Sequence, residues 1–529
     1  MTLRRALLSS FVREEDTDAT LDTPTKLKTA SQTLLGDGSY AISVAAAGNT
    51  LLISLLFPKI GASAVAAGPL IAAAQNLVVG FCQTYLVSLS LILGNSLGKA
   101  KAQRAASMLG ASIDIAHEIG VTIRTGYGIG LLLAITATLL LLPAASFFSL
   151  FIEDSAVTDD IFDYFCWYAL GIVAMFHSFI DQQLEVVIGP KWFPACRGIT
   201  YTVLSYTFSS WLIETETYPG MKGVGLGTAL AAWAVLLLTK LHQFVYARPR
   251  QFALYDWSFL HFRATAANIN RIGLRLGIQV FSEWVYFVGQ SAIVASTGTV
   301  LLRAIQPLTQ VLSLANLYCL GYAAAAAARV AEILGHLAHD RANARPIINS
   351  YVKRYGTIAI VCGAVLPIVL TITMLANPNI FSQHLLHGGA TPEEREQSNT
   401  VLQIGSFFLL ANVFRALNGS PLRGFKDIVY PLVLNAILMS AIGLPISGGL
   451  LLTHVISLPD MLLISASFVM LSALIVGRRW WQFSQATIAE KIWITETNNT
   501  HPRDAILFPL AKAKQQLAAA EPDTHPMAV

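Results

Sequence analysis

Charge is what this sequence has least of. Only 12% of its 529 residues are Asp, Glu, Lys or Arg, about half the share usual in a soluble domain, so an ordinary water-facing surface cannot be built from it. Cysteine is scarce as well. The five, Cys82, Cys166, Cys196, Cys319 and Cys362, lie in or beside apolar runs without metal-ligand spacing and read as buried free thiols. The first ~35 residues mix Arg4, Arg5 and Arg13 with Glu14, Glu15, Asp16 and Asp18 and lack a sizeable apolar core with a cleavage signal, so no cleaved signal peptide is expected. The polar and apolar alternation of an outer-membrane barrel strand is missing. A net charge of +4 carries no nucleic-acid signal.

What the sequence has is apolar length. Hydrophobic residues make up 54% of the chain and the mean hydropathy is +0.57. The runs at 129–148, 226–241, 355–375 and 432–452 approach or reach the roughly 20 residues that span a ~30 Å hydrocarbon core as a helix. In lipid, helices satisfy their own backbone hydrogen bonds. The expected fold class is therefore all-α and polytopic, with about twelve transmembrane helices: near 38–58, 68–97, 120–150, 161–188, 192–213 and 223–246, then 272–296, 301–334, 355–375, 400–420, 428–452 and 458–477.

Cations cluster on alternate loops, at Lys99, Lys101 and Arg104, Lys191 and Arg197, Arg248, Arg250 and Arg263, Arg341, Arg345, Lys353 and Arg354, and Arg423 and Lys426. By the positive-inside rule both termini are expected in the cytoplasm. The polar, basic stretch RPRQFALYDWSFLHFR divides the chain into an N-terminal segment 1–37, an N-lobe 38–246, a linker 247–271, a C-lobe 272–477 and a tail 478–529. The halves repeat. Gly61 and Gly98 in the first correspond to Gly298 and Gly335 in the second, and both pairs are 237 residues apart (298 − 61 and 335 − 98). One offset for two landmarks points to a duplication.

Those stretches resemble the multidrug and toxic compound extrusion transporters. IGASAVAAGPLIAAAQNLVVGF and LGNSLGKAKAQRA are similar to the family's first turn, second helix and following turn. AAAARVAEILG at Ala325, SEWVYFVGQSAIVASTG from Ser282, NGSPLRGFKDIVYPLVLNAI from Asn418, GLPIS at Gly443 and MKGVGLGTALAAW at Met221 extend the likeness over about 40–480. The resemblance implies two six-helix lobes in a V around a central cavity, alternating access driven by a proton or sodium gradient, and export of amphiphilic, often cationic compounds. The chain departs from the family at its acids. LLISLLFP holds none on the first helix, Asn412 stands at a position acidic in some members, and of the glutamates on the seventh helix only Glu283 remains, with Val288 near the second position.

A charge at mid-membrane needs a partner, a wet cavity or a task. Glu283 is the first candidate for ion coupling or substrate-cation binding, against a structural hydrogen bond to a neighbouring helix. His177, Asp181 and Glu185 are spaced four apart, which stacks them on one helix face, as a proton ladder or as the lining of a cytoplasmic vestibule. Arg415 is expected to answer Asp181 or Glu185 as counter-ion, with anionic-substrate binding as the other reading. Gln75, Gln83, Gln290, Gln306, Gln310 and Asn412 are candidates for lining the cavity, though such residues more often bond between helices. GVGLG at Gly223 opens a membrane helix and follows no strand, so it reads as close packing rather than a nucleotide loop. No metal set and no hydrolase constellation is present.

These readings converge on a secondary active transporter rather than an enzyme. It needs no cofactor beyond H+ or Na+ as coupling ion, its partners are a small-molecule substrate and the lipid bilayer, and no obligate protein partner is evident. The expected location is a plasma membrane of the bacterial inner-membrane kind. The alternative is a flippase for a lipid-linked or polyanionic cargo.

Overall fold

The computed structural model describes residues 42, 54–105, 111–188, 193–245, 262–339, 346–386, 390–487 and 490–495. Most of the helix expected at 38–58 lies outside them. Eleven long helices follow among the described residues: α1 (Ala62–Ala105), α2 (Ala111–Leu141), α3 (Ser155–Ile188), α4 (Phe193–Glu214), α5 (Met221–Val245), α6 (Phe262–Thr297), α7 (Thr299–His339), α8 (Pro346–Ala376), α9 (Pro392–Gly424), α10 (Val429–Leu452) and α11 (Leu458–Gln485). They match the remaining expected helices one for one and generally run longer, because membrane helices continue past the apolar window that reveals them. Nine are long and apolar enough to cross a membrane. The other two, α4 and α6, are less apolar, since besides their charges α4 carries many Ser, Thr and Tyr residues and α6 adds Gln279, Ser282, Trp284, Tyr286 and Gln290.

Two expected boundaries move. The proposed linker ends early, since 262–271 already belongs to α6, and the proposed tail starts late, since α11 reaches Gln485. The thiols are free, but Cys196 is exposed rather than buried and Cys166 and Cys362 are half-buried. Leu132, Leu139, Leu237, Leu241, Val361, Ile372 and Leu474 are also exposed, as side chains facing acyl chains would be.

The offset of 237 runs through the whole architecture. Added to the starts of α1, α3 and α5 at 62, 155 and 221, it gives 299, 392 and 458, the starts of α7, α9 and α11. Turn geometry repeats with it. Gly61 and Gly298, each just before one of these starts, have φ of 153° and 131°, a region where only glycine is free of strain. A Cβ at Gly298 would meet nothing within 4 Å, so Gly298→Ala isolates backbone strain. It is expected to cost about 1 kcal/mol, read as a lower thermal midpoint of the purified protein.

Within a half, α3 packs on α5 and α5 on α4; in the second half α9 packs on α11 and on α7. Between halves, α1 lies against α6 and α7. Here side chains are small enough for backbones to touch. A Cβ on Gly94 would lie 2.6 Å from the Ala328 carbonyl oxygen, one on Gly98 would collide with the Glu332 carbonyl, and one on Gly335 would lie 2.6 Å from the Asn95 carbonyl. Asn95 and Glu332 are also 237 apart. The seam is thus two-fold: each glycine rests on the carbonyl that its own counterpart's helix presents. At the other end of the molecule, the short helix Phe57–Ile60 meets the short helix Asn379–Leu385.

Candidate functional site

In the second half, five helices converge on one buried carboxylate. Glu283 enters from α6 and is 7% exposed. Arg415 of α9 places Nη1 2.7 Å from Glu283 Oε1. Asn435 of α10 donates to the same oxygen at 2.9 Å, and Gln279, one turn before Glu283, donates at 3.3 Å. Asn435 in turn accepts from Ser472 of α11 at 2.5 Å. On the far side of the guanidinium, Nε and Nη2 donate to Asn412 Oδ1 at 3.2 and 2.7 Å, and Asn412 donates to Asn316 of α7 at 2.5 Å.

Local sequence places these groups. Asn412 and Arg415 are three apart and share a helix face. Asn435 is the last α-helical residue before a π-helical stretch, Ala436–Gly443; the wider turn re-aims a helix and often accompanies a functional position. Arg415 therefore answers Glu283, not Asp181 or Glu185 as expected. Position along a helix gives depth, but which neighbour is met depends on helix rotation and on which helices are adjacent.

In the first half, His177, Asp181 and Glu185 do share a face of α3; His177 and Asp181 meet at Tyr127, whereas Glu185 pairs apart from them. The His177 ring stacks on Tyr127 of α2, centroids 5.6 Å apart and planes 11° apart, and its Nδ1 faces the Val173 carbonyl at 2.9 Å. Asp181, 0% exposed, accepts from the Tyr127 hydroxyl and pairs with Lys240 of α5 at 2.8 Å. Lys240 Nζ also lies 2.9 Å from the Tyr127 oxygen and 4.5 Å from the ring centroid. Glu185 and Arg197 of α4 form a two-point fork at 3.0 and 3.3 Å, the stronger geometry for such a pair.

The polar candidates divide. Asn412 belongs to the Glu283 network. Gln75 is an interhelical clamp, donating to Tyr168 at 2.9 Å and accepting from Tyr164 at 3.4 Å. Gln290 does the same, donating to Tyr286 at 3.0 Å and Ser465 at 2.7 Å. Gln83, Gln306 and Gln310 are buried, and Gln306 packs on Gly68 of α1 across the seam.

The motif LRGFKD forms the tight turn after α9, with Lys426 at φ 58° and Asp427 held by Arg479 of α11 at 2.5 Å. Burial pushes the Asp427 carboxyl up from its ordinary range, and Arg479 draws it back.

Sequence reasoning missed Lys240, Tyr127, Asn435, Asn316 and Ser472. Lys240 had a signal. It stands toward the end of the apolar run AAWAVLLLTKLHQF, where a charge on a membrane helix calls for an acid nearby. The amides and the phenol carry no such mark.

No family model matches the sequence. The chain is 23% identical over 365 residues to a probable multidrug resistance protein NorM of Streptococcus pneumoniae (strain ATCC BAA-255 / R6), covering 67% of this chain and 73% of that protein. Among solved structures, the eukaryotic MATE transporter AtDTX14 matches at a TM-score of 0.67 and 14% identity, covering 90% of this chain and 99% of that one. A variant of the Vibrio cholerae MATE transporter VcmN matches at 0.65 and 15%, covering 86% and 97%. An outward-facing multidrug resistance MATE family transporter matches at 0.67 and 13%, covering 87% and 96%. The chain has the fold of the MATE transporters, as the sequence motifs implied, and it is an integral membrane protein.

Proposed function

We propose that this chain is a secondary transporter that exports drug-like organic compounds by alternating access, with the proton as coupling ion and Glu283 as the point of exchange. The likeness to a multidrug resistance protein and to MATE structures supports the transport reading. The single observation that carries the choice of ion is the 2.7 Å pair between Glu283 and Arg415. A tethered guanidinium already supplies beside the carboxylate the positive charge that a bare metal cation would bring, and Gln279 and Asn435 donate to the same oxygen. A proton brings no second cation into that shell, because it neutralises Glu283 and releases Arg415 from it.

The consequence can travel along α6. Trp284, the residue after Glu283, faces Gly80 of α1 at 3.3 Å from where a Cβ would sit, and Gly273 and Gly277 of the same helix receive Tyr85 and Phe81 of α1. A change in the charge state of Glu283 therefore acts on the helix that also bears on the opposite half. In this reading the protein resides in a plasma membrane with both termini in the cytoplasm, where its cargo is taken up.

The test is export of a fluorescent organic compound from proteoliposomes under an imposed proton gradient, repeated under a sodium gradient. Export driven by the proton gradient and unaffected by sodium is the expected result. Export driven by sodium at constant pH overturns the assignment of the ion.

A further inference from the structure

Lys240 does to Asp181 and Tyr127 what an organic ammonium would do. Its ammonium contacts both oxygens of a fully buried carboxylate, at 2.8 and 2.9 Å, touches a phenol oxygen at 2.9 Å, and lies 4.5 Å from the centre of the same ring. His177 backs that ring in parallel. A buried carboxylate beside a phenol oxygen gives an ammonium three oxygen acceptors in one place. The carboxylate is sealed, whereas the Lys240 side chain is 35% exposed, so the occupant enters from the open side and can leave by it.

The duplicated half shows that the fold does not need this charge pair. The counterparts of Tyr127, His177, Asp181 and Lys240 at an offset of 237 are Ala364, Phe414, Asn418 and Gly477. The same two helices close there without an ion pair. A Cβ on Gly477 would sit 2.8 Å from Asn418 Nδ2, and Asn418 donates to the Ala473 carbonyl at 3.1 Å. Neutral residues suffice for helix packing at the equivalent place, so the carboxylate, the ring and the cation serve something that only the first half does.

We propose that Tyr127 and Asp181 form a subsite for an alkylammonium group of the cargo, which Lys240 occupies as a tethered stand-in until cargo displaces it. This rests on the exporter reading above and adds to it a place in the first half, with a built-in competitor, where a charged end of the cargo is held. A tethered competitor is present at high effective concentration, so it sets a threshold that a free ammonium must exceed.

The experiment is equilibrium binding of n-butylammonium, the free equivalent of the lysine side chain, to purified full-length protein by titration calorimetry without any gradient. Lys240→Ala is expected to bind at least tenfold more tightly than the wild type. The double variant Asp181→Asn with Lys240→Gly, which copies the pair found in the second half and so is expected to fold, should lose that binding. Equal affinity of wild type and Lys240→Ala, or undiminished binding by the double variant, overturns the proposal. Because no ion gradient enters, failure here is separate from failure of proton coupling. A Lys240→Ala protein that does not fold is replaced by Lys240→Met, which keeps the stem and removes the ammonium, with the same tenfold gain as the required outcome.

Discussion

Glu283→Gln is expected to reduce proton-driven export to background and at the same time to destabilise the protein by about 3–5 kcal/mol, the usual effect of removing one partner of a buried ion pair. The two effects have different causes. Stability falls because Arg415, 5% exposed, would keep its contacts to Asn412 but lose its counter-charge. Export falls because an amide at 283 cannot take up and release a proton. Removing the guanidinium as well separates them: Glu283→Gln with Arg415→Gln puts two neutral amides where the ions stood and is expected to recover most of the lost stability. Replacing a buried ion pair by neutral groups is often close to neutral overall. Export should stay at background in the double variant. A thermal midpoint and an export rate for the two singles and the double form a complete cycle, and full export by the double variant would exclude Glu283 as the exchange point.

Gly98→Val should have an effect of similar size for a steric reason. The hydrogen of Gly98 lies against the Glu332 carbonyl of α7, and any Cβ there collides with backbone, not with a side chain that could turn aside. The two helices must separate, and because Gly94, Gly98 and Gly335 occupy one seam, the contact is lost over several turns. The transporter is then expected to be held out of the conformation described, with export reduced more than tenfold and a cysteine placed at Leu97 becoming readily labelled. Gly449→Ala is the matched control. A Cβ at that helical glycine meets nothing within 4 Å, so wild-type export and stability are expected.

The sequence conveyed the helices and the duplication because both are recorded by local signals. A membrane helix announces itself by unbroken apolar length, and a repeat by landmarks such as Gly61 and Gly298 whose backbone angle no other residue adopts freely. Glu283 could be singled out for the same reason, since an isolated acid in an apolar run is costly. Its partner could not. Arg415 has the right depth to meet Asp181, Glu185 or Glu283, and only the adjacency of α6 and α9 decides among them. Lys240 is the complementary case. A cation inside a membrane helix is costly for the same reason as an acid there, so the argument that singles out Glu283 also applies to Lys240. Asn316, Asn435 and Ser472 could not have been found this way, because amides and hydroxyls are common in membrane helices and their bonding depends on contacts between distant turns.

The seam also bears on timing. Gly98 on Glu332 and Gly335 on Asn95 are counterparts at the offset of 237 in one seam, so rotation of one half against the other strains both contacts together. Neither contact can fray first and lower the barrier for its twin. Opening then has a single high crossing instead of a staircase of small ones, and a single-molecule recording of the inter-half distance should dwell in each state with one exponential lifetime and pass between them without a pause.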